Sequence, residues 1–317
     1  MKKLIALILM VVLVFSIVGC GNKDNQTTTT PLDTSEPAST EVGITYPLTV
    51  VDSAGRSVTF DQMPERLVSS VPSNTEIIYA LGKGEQLVGV SVYCNYPEEA
   101  LSVNKIGDYN GPNLELIIDA KPDVFFAAWL SDEVLTQLEG AGIPVLLINP
   151  GNIEETYKSI KDIGDVIGSS DEAKLLIDAM RAKQENIIQI DKGYQPKTVF
   201  YEIWHDPLMT VGPGSFINEL ITMANGVNIA QDAESAYPEY SLELLISKNP
   251  QVYMTSDDGF KTPEDIFGRP GYENIEAIKT GQVFLLHPDI TSRPGPRIID
   301  GLEMIAMAVH PEAFEGK

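Results

Sequence analysis

From Leu67 onward the chain alternates short apolar runs with stretches of helical period. LVSSV (67–71), LVGVS (87–91), DVFFAAW (123–129) and PVLLIN (144–149) are short apolar segments bounded by turn residues, as buried strands require. Between them NTEIIYALG (74–82), LELIIDA (114–120) and VLTQLEGAG (134–142) place apolar side chains at helical spacing. This alternation predicts an α/β layer with a largely parallel sheet.

The pattern also repeats. Asn113 to Val124 (NLELIIDAKPDV) matches Ser241 to Val252 (SLELLISKNPQV) at a constant offset of 128, with Leu114/Leu242, Glu115/Glu243, Leu116/Leu244, Ile118/Ile246, Pro122/Pro250 and Val124/Val252 identical. Each copy reads as a short helix opened by an Asn or Ser cap, stopped before a proline and followed by a strand. Two similar lobes are therefore expected. Between them residues 152–191 contain no proline and keep helical period, with Ile153, Tyr157, Ile160, Ile163 and Ile167 on one face and Leu176, Met180 and Ile187 continuing it. A long helical link, broken or bent near Gly168, is predicted, and such a link is stiff.

The N-terminus is of another kind. Lys2 and Lys3 precede an apolar run, residues 4–18, broken only by Ser16 and ending at Gly19-Cys20. This is the form of a secretory signal of the lipoprotein type, and the run is shorter than the roughly 20 apolar residues a membrane span needs. The following residues are rich in Thr, Ser and Pro and predict a flexible tether. The expected organisation is a signal at 1–19, a tether at 20–45, a first lobe at 46–151, a helical link at 152–192 and a second lobe at 193–317.

Charge and cysteine content narrow the function. The chain carries 45 acidic against 22 basic side chains, a net charge of −23, and loss of residues 1–19 would bring it to about −25. Such a balance excludes nucleic acid and anionic lipid surfaces as general partners. With Cys20 committed to the N-terminal signal, Cys94 is left without a cysteine partner, which excludes an internal disulfide or a thiolate cluster. His205, His287 and His310 follow no metal-ligand spacing, and the chain has no Gly-x-Ser-x-Gly elbow or phosphate-binding glycine loop. Neither an enzyme nor a resident metal or cofactor is expected.

Several segments together carry a family resemblance. Pro64 to Gly82 (PERLVSSVPSNTEIIYALG), Val88 to Pro97 (VGVSVYCNYP), Gly107 to Glu115 (GDYNGPNLE), Lys121-Pro-Asp123 and Arg293 to Ile299 (RPGPRII) resemble the solute-binding proteins of ABC importers for cobalamin, haem and iron-siderophores. The likeness is greatest to the cobalamin-binding branch and spans nearly all of the chain beyond the tether. It implies two Rossmann-like lobes joined by a single long interdomain helix, with ligand in the cleft between them. It further implies a monomer held by lipid on Cys20 at the extracytoplasmic face of a cell membrane, with an ABC permease and its ATPase as partners.

Residue by residue, the resemblance places Tyr93 on the ligand and puts Tyr109 and Tyr237 where relatives carry tryptophans over the ring. Trp129 and Trp204 match family aromatics to within one position. Asp289 and Arg293 match a pair that reaches the ligand's amides or steadies the pocket. A corrin is a broad, mostly apolar ring with amide arms, so aromatic walls and a few hydrogen-bonding groups suit it. Haem would want an axial Tyr or His, and an anionic siderophore several arginines. Glu76 and Glu243 match acids on the outer lobe faces that dock to permease arginines, with Glu115 as the rival to Glu76 by the repeat. Ser73-Asn-Thr-Glu76 also reads as a capping box, and Glu243 suits the first turn of its helix.

Overall fold

The structure is a computed structural model that describes residues 44–108, 111–257, 259 and 261–315. The lipoprotein signal with Cys20, nearly all of the expected tether, and Tyr109 lie outside the described residues.

A two-stranded hairpin, β1 (Leu48–Val51) and β2 (Ser57–Phe60), opens the fold. Buried Asp52 holds it to the first lobe by pairing with Arg56, whose Nη2 donates to the Val145 carbonyl at 2.9 Å. The first lobe follows as β3 (Leu67–Ser69), α1 (Pro72–Ala80), β4 (Leu87–Val90), the short antiparallel pair β5 (Gly107–Asp108) and β6 (Gly111–Pro112), α2 (Leu114–Ala120), β7 (Val124–Ala127), α3 (Asp132–Gly140) and β8 (Val145–Leu147). Its sheet is wholly parallel, in the order β4-β3-β7-β8. The predicted strands and helices all form, because runs buried on both faces can pair only when helices cover them.

Two helices follow, α4 (Ile153–Val166) and α5 (Ser170–Asp191). The break falls at Gly168, whose φ of +69° suits a residue without Cβ. The chain turns back there: Arg181 pairs with Glu154, and the Tyr157 hydroxyl donates to Gln184 at 2.6 Å. The helical link expected over 152–192 is therefore an antiparallel pair. Packing of α4 on α1 and β1 assigns it to the first lobe, so α5 alone carries the chain across.

The second lobe comprises β9 (Lys197–His205), β10 (Leu208–Thr210), α6 (Phe216–Met223), β11 (Gly226–Asn228), α7 (Leu242–Lys248), β12 (Val252–Ser256), α8 (Pro263–Phe267), α9 (Glu276–Lys279), β13 (Val283–Leu286), α10 (Pro288–Thr291), α11 (Ile298–Val309) and α12 (Pro311–Phe314). Strands β9, β12 and β13 run parallel; β10 joins β9 antiparallel and β11 joins it parallel. The repeat is structural as well as sequential. Helices α2 and α7 have equal length, are capped by Asn113 and Ser241, and end on left-handed Lys121 and Asn249, each with φ of 48°.

The period-2 alternation of the strands sorts their side chains between cores. Leu67, Val124, Phe126, Val199, Tyr201, Val252 and Met254 enter one cluster that also takes in α4, α5, α6 and α11 and so spans both lobes. The opposite sheet faces fill two smaller cores, one around Phe125 and Val145 and one around Phe200 and Tyr253. The lobes thus share a core rather than touching through a linker.

Candidate functional site

The parallel strands of the first lobe end on one side, and the loops that leave them build a cleft. Ser70 and Pro72 follow β3, Ser91 to Tyr93 and Asn95 follow β4, and Trp129 to Ser131 follow β7. The β5–β6 turn adds Gly107, Asp108, Gly111 and Pro112, and the second lobe adds Asp289 and Arg293 from α10 and the loop after it. The cleft measures about 880 Å³ and lies outside the carboxyl ends of the strands, where parallel α/β layers bind ligands.

Four predicted residues meet there: Tyr93, Trp129, Asp289 and Arg293. Trp129 is 75% exposed, so its indole forms a wall of the cleft and is no part of the core. Tyr93 is half-buried, and Val92 and Leu130 add apolar surface. Trp204 and Tyr237 do not line the cleft. Both are exposed on the second lobe, Trp204 near the end of β9 with its Nε1 donating to the Asp206 carbonyl at 2.8 Å, and Tyr237 in the loop before α7.

At one margin of the cleft the two lobes are joined by polar groups. Arg293 Nη2 meets Asp289 Oδ1 at 2.7 Å, while its Nη1 donates to Asn95 Oδ1 at 2.7 Å and to Glu76 Oε1 at 3.1 Å. Asn95 Nδ2 closes the ring by donating to Asp289 Oδ2 at 3.0 Å. Arg297 forks onto the same Glu76, Nε to Oε2 at 2.8 Å and Nη2 to Oε1 at 2.7 Å, and stacks 3.9 Å above the Tyr96 ring. Hydrogen bonding to Glu76 raises the Arg297 pKa above its ordinary value, against an opposing effect of burial.

Glu76 therefore corrects the sequence reading. Its side chain is only 2% exposed and both oxygens accept from arginines of the other lobe, so it presents no carboxylate to a permease. Nor does it close a capping box. Pro72 starts α1 earlier, Val71 is the cap residue without a side-chain bond, and Ser73, Asn74, Thr75 and Glu76 are all buried. Glu115 and Glu243 stand differently. Each is exposed in the first turn of its helix, α2 or α7, at matching positions of the repeat.

Sequence reasoning missed Asn95 and Tyr96, and it took Arg297 as standing near the cleft without a carboxylate partner. The available signal for the arginine partners of Asn95 and Tyr96 was Arg293 and Arg297, four residues apart in a strongly acidic chain. Cys94 is buried and free, contacted by Thr75 Oγ1 at 3.1 Å and Ser91 Oγ at 3.3 Å. Among the described residues no group of three or more His, Cys, Asp or Glu could hold a metal ion, and no helix is long and apolar enough to cross a membrane.

A family model described as "Periplasmic binding protein" matches residues 67–290. The chain belongs to the periplasmic binding protein family. It is similar to an ABC transporter substrate-binding lipoprotein of Bacillus subtilis, 35% identical over 309 residues and covering 94% of each chain. A vitamin B12-binding protein of Vibrio cholerae is 29% identical over 243 residues, covering 76% of this chain and 87% of that one. The crystal structure of the periplasmic vitamin B12 binding protein of that species gives a TM-score of 0.68 at 28% identity, covering 80% of this chain and 98% of the other. A structure described as a possible iron-binding, periplasmic solute-binding protein from Staphylococcus epidermidis gives 0.71 at 31%, covering 78% and 100%.

This periplasmic binding protein is accordingly an extracytoplasmic solute-binding component of an ABC transporter. Proteins of the family bind small ligands and work with a permease and an ATPase; they are not enzymes.

Proposed function

We propose that this binding protein captures cobalamin or a related corrinoid in the cleft between its lobes and delivers it to the permease of an ABC importer. The observation that carries the reading is a cleft of about 880 Å³ walled by Trp129, Tyr93, Val92 and Leu130. Among the described lining residues the one cation, Arg293, is already paired with Asp289 and bonded to Asn95. A broad ring with neutral amide arms fits apolar walls and a few hydrogen-bonding groups; a ligand with several anionic groups does not. Trp204 and Tyr237 serve in this reading as outer aromatic contacts from the second lobe, and Tyr109 as a further contact.

Delivery uses Glu115 and Glu243, two exposed carboxylates on repeated helices, against basic residues on the two halves of the permease. Exposed Leu116 and Ile118 on α2, with Leu244 and Ile246 on α7, flank them in the same pattern. The protein works as a monomer tethered through lipid on Cys20.

A second reading has one supporting observation. Tyr93 brings a phenol into the cleft, as ferric haem would require, and the Staphylococcus structure is described as possibly iron-binding. The experiment that separates the two is an absorption spectrum of the protein after mixing with cyanocobalamin, haem or a ferric siderophore and removal of unbound ligand. Retained corrinoid bands support the first reading, and retention of haem or siderophore alone replaces it.

A further inference from the structure

Charge at the cleft margin is balanced before any ligand arrives. Among the described residues lining the cleft, the charged side chains are Asp108, Asp289 and Arg293, and behind them stand Glu76 and Arg297. Glu76 and Asp289 share Arg293, and Glu76 also takes Arg297, so two carboxylates face two guanidinium groups. Arg293 donates two hydrogen bonds and makes one ion pair within the protein, out of the five donors a guanidinium offers. An anionic group entering the cleft meets no uncompensated positive charge from this cluster, and it meets Asp289. A carboxamide is better served, since Asp289 oxygens retain lone pairs for its N–H and Arg293 retains donor capacity for its C=O.

We propose that Glu76 is a specificity-determining residue: by holding Arg293 and Arg297 in a neutral junction between the lobes, its carboxylate makes the cleft favour amide-bearing ligands over their carboxylate counterparts. Glu76 acts through Arg293 and is a positioning residue, because its buried carboxylate does not line the cleft. The proposal rests on the corrinoid reading for its ligand, but its logic concerns only ligand charge.

The test compares cyanocobalamin with its monocarboxylic acid, in which one side-chain amide is hydrolysed, so that shape is kept and one negative charge is added. Wild-type protein is expected to prefer the amide form. Glu76→Gln leaves two guanidinium groups facing Asp289 alone, and should shift the amide-to-acid affinity ratio about tenfold toward the acid, with a gain that shrinks in high salt. Arg297→Met removes a positive charge and should move the ratio the other way. A cooperative melt establishes that each variant is folded. An unchanged ratio in folded Glu76→Gln overturns the proposal. If that variant does not fold, an unchanged ratio in Arg297→Met overturns it instead. If the wild type binds no corrinoid, the reading of the ligand has failed; ferric protoporphyrin with free or esterified propionates then replaces the pair, and Glu76 is judged on the same ratio.

Discussion

Arg297 and Glu76 lie 221 residues apart in sequence and meet in a two-point fork across the lobe boundary, at 2.8 and 2.7 Å. A carboxylate so deeply buried is tolerated because guanidinium groups satisfy it, and removing it takes the fork from Arg297 and one partner from Arg293. Glu76→Ala is expected to cost about 3–5 kcal/mol of stability, read as a lowered denaturation midpoint in urea. Adding Arg297→Met should recover part of the loss; a double variant no better than the single one would show that the fork is not a coupled unit.

Glu115 and Glu243 should divide binding from transport. Reversing both to Arg is expected to leave ligand affinity unchanged, because neither residue lines the cleft, while corrinoid-dependent growth of cells carrying the variant collapses through like-charge repulsion. Melting of the purified variant should stay close to that of the wild type, since Asn113 and Ser241 still cap the helices. The same reversal at Glu76 cannot serve as such a test, because it would place a third arginine against Arg293 and Arg297. Normal growth of the Glu115→Arg, Glu243→Arg cells would remove the docking assignment.

Trp129→Ala should weaken corrinoid binding by about 1–3 kcal/mol, with a melting temperature near that of the wild type because the indole is not packed in a core. Isothermal titration and thermal melting on one preparation separate the two effects. An affinity unaltered by this change would mean that the ligand does not touch the first lobe's wall.

Acid should lower the stability of the protein over two pH ranges. Burial lowers the pKa of His310, with the charge of Lys197 adding to it, so the ring is kept neutral in the fold and must take up a proton on unfolding. For a group with a depressed folded value the stability it contributes is present above the unfolded pKa, and it falls as pH drops below about 6.5. Glu202 acts lower down. Burial alone would raise its carboxyl, but hydrogen bonds from Arg269 and Tyr253, with the charges of Arg269 and Lys261, bring it below the ordinary value. Its contribution is intact above about pH 4.3 and is lost as pH falls through the lowered folded value. Glu202→Gln should reduce stability at neutral pH and flatten only the lower arm of a plot of melting temperature against pH. A variant that flattens the arm near pH 6 as well would refute the assignment.

Local pattern carried much of this fold. Strands such as Val124–Ala127 and helices such as Leu114–Ala120 were legible because burial on both faces and the repeat each constrain them independently. Ser73-Asn-Thr-Glu76 was misleading for a physical reason: a capping box and a buried polar turn of helix share one spelling, and only the position of Pro72 and contacts from residues more than 200 positions away distinguish them. Of the cleft, Tyr93 and Trp129 were legible through their positions at strand ends and the family resemblance, and Asp289 and Arg293 through the resemblance alone. Asn95 and Tyr96 were not, because their roles exist only once the second lobe is in place.

The shared core changes what the repeat means. Val199 and Met254 of one lobe belong to the same apolar cluster as Leu67 and Phe126 of the other, with Met180 and Ile187 of α5 between them. Two copies of a helix-strand unit have thus ceased to be separable parts. A chain divided at Gly168 would leave each fragment with an apolar face that no remaining element covers, so neither half is a module that could be exchanged, expressed alone or evolved independently. The smallest heritable unit of this receptor is the pair.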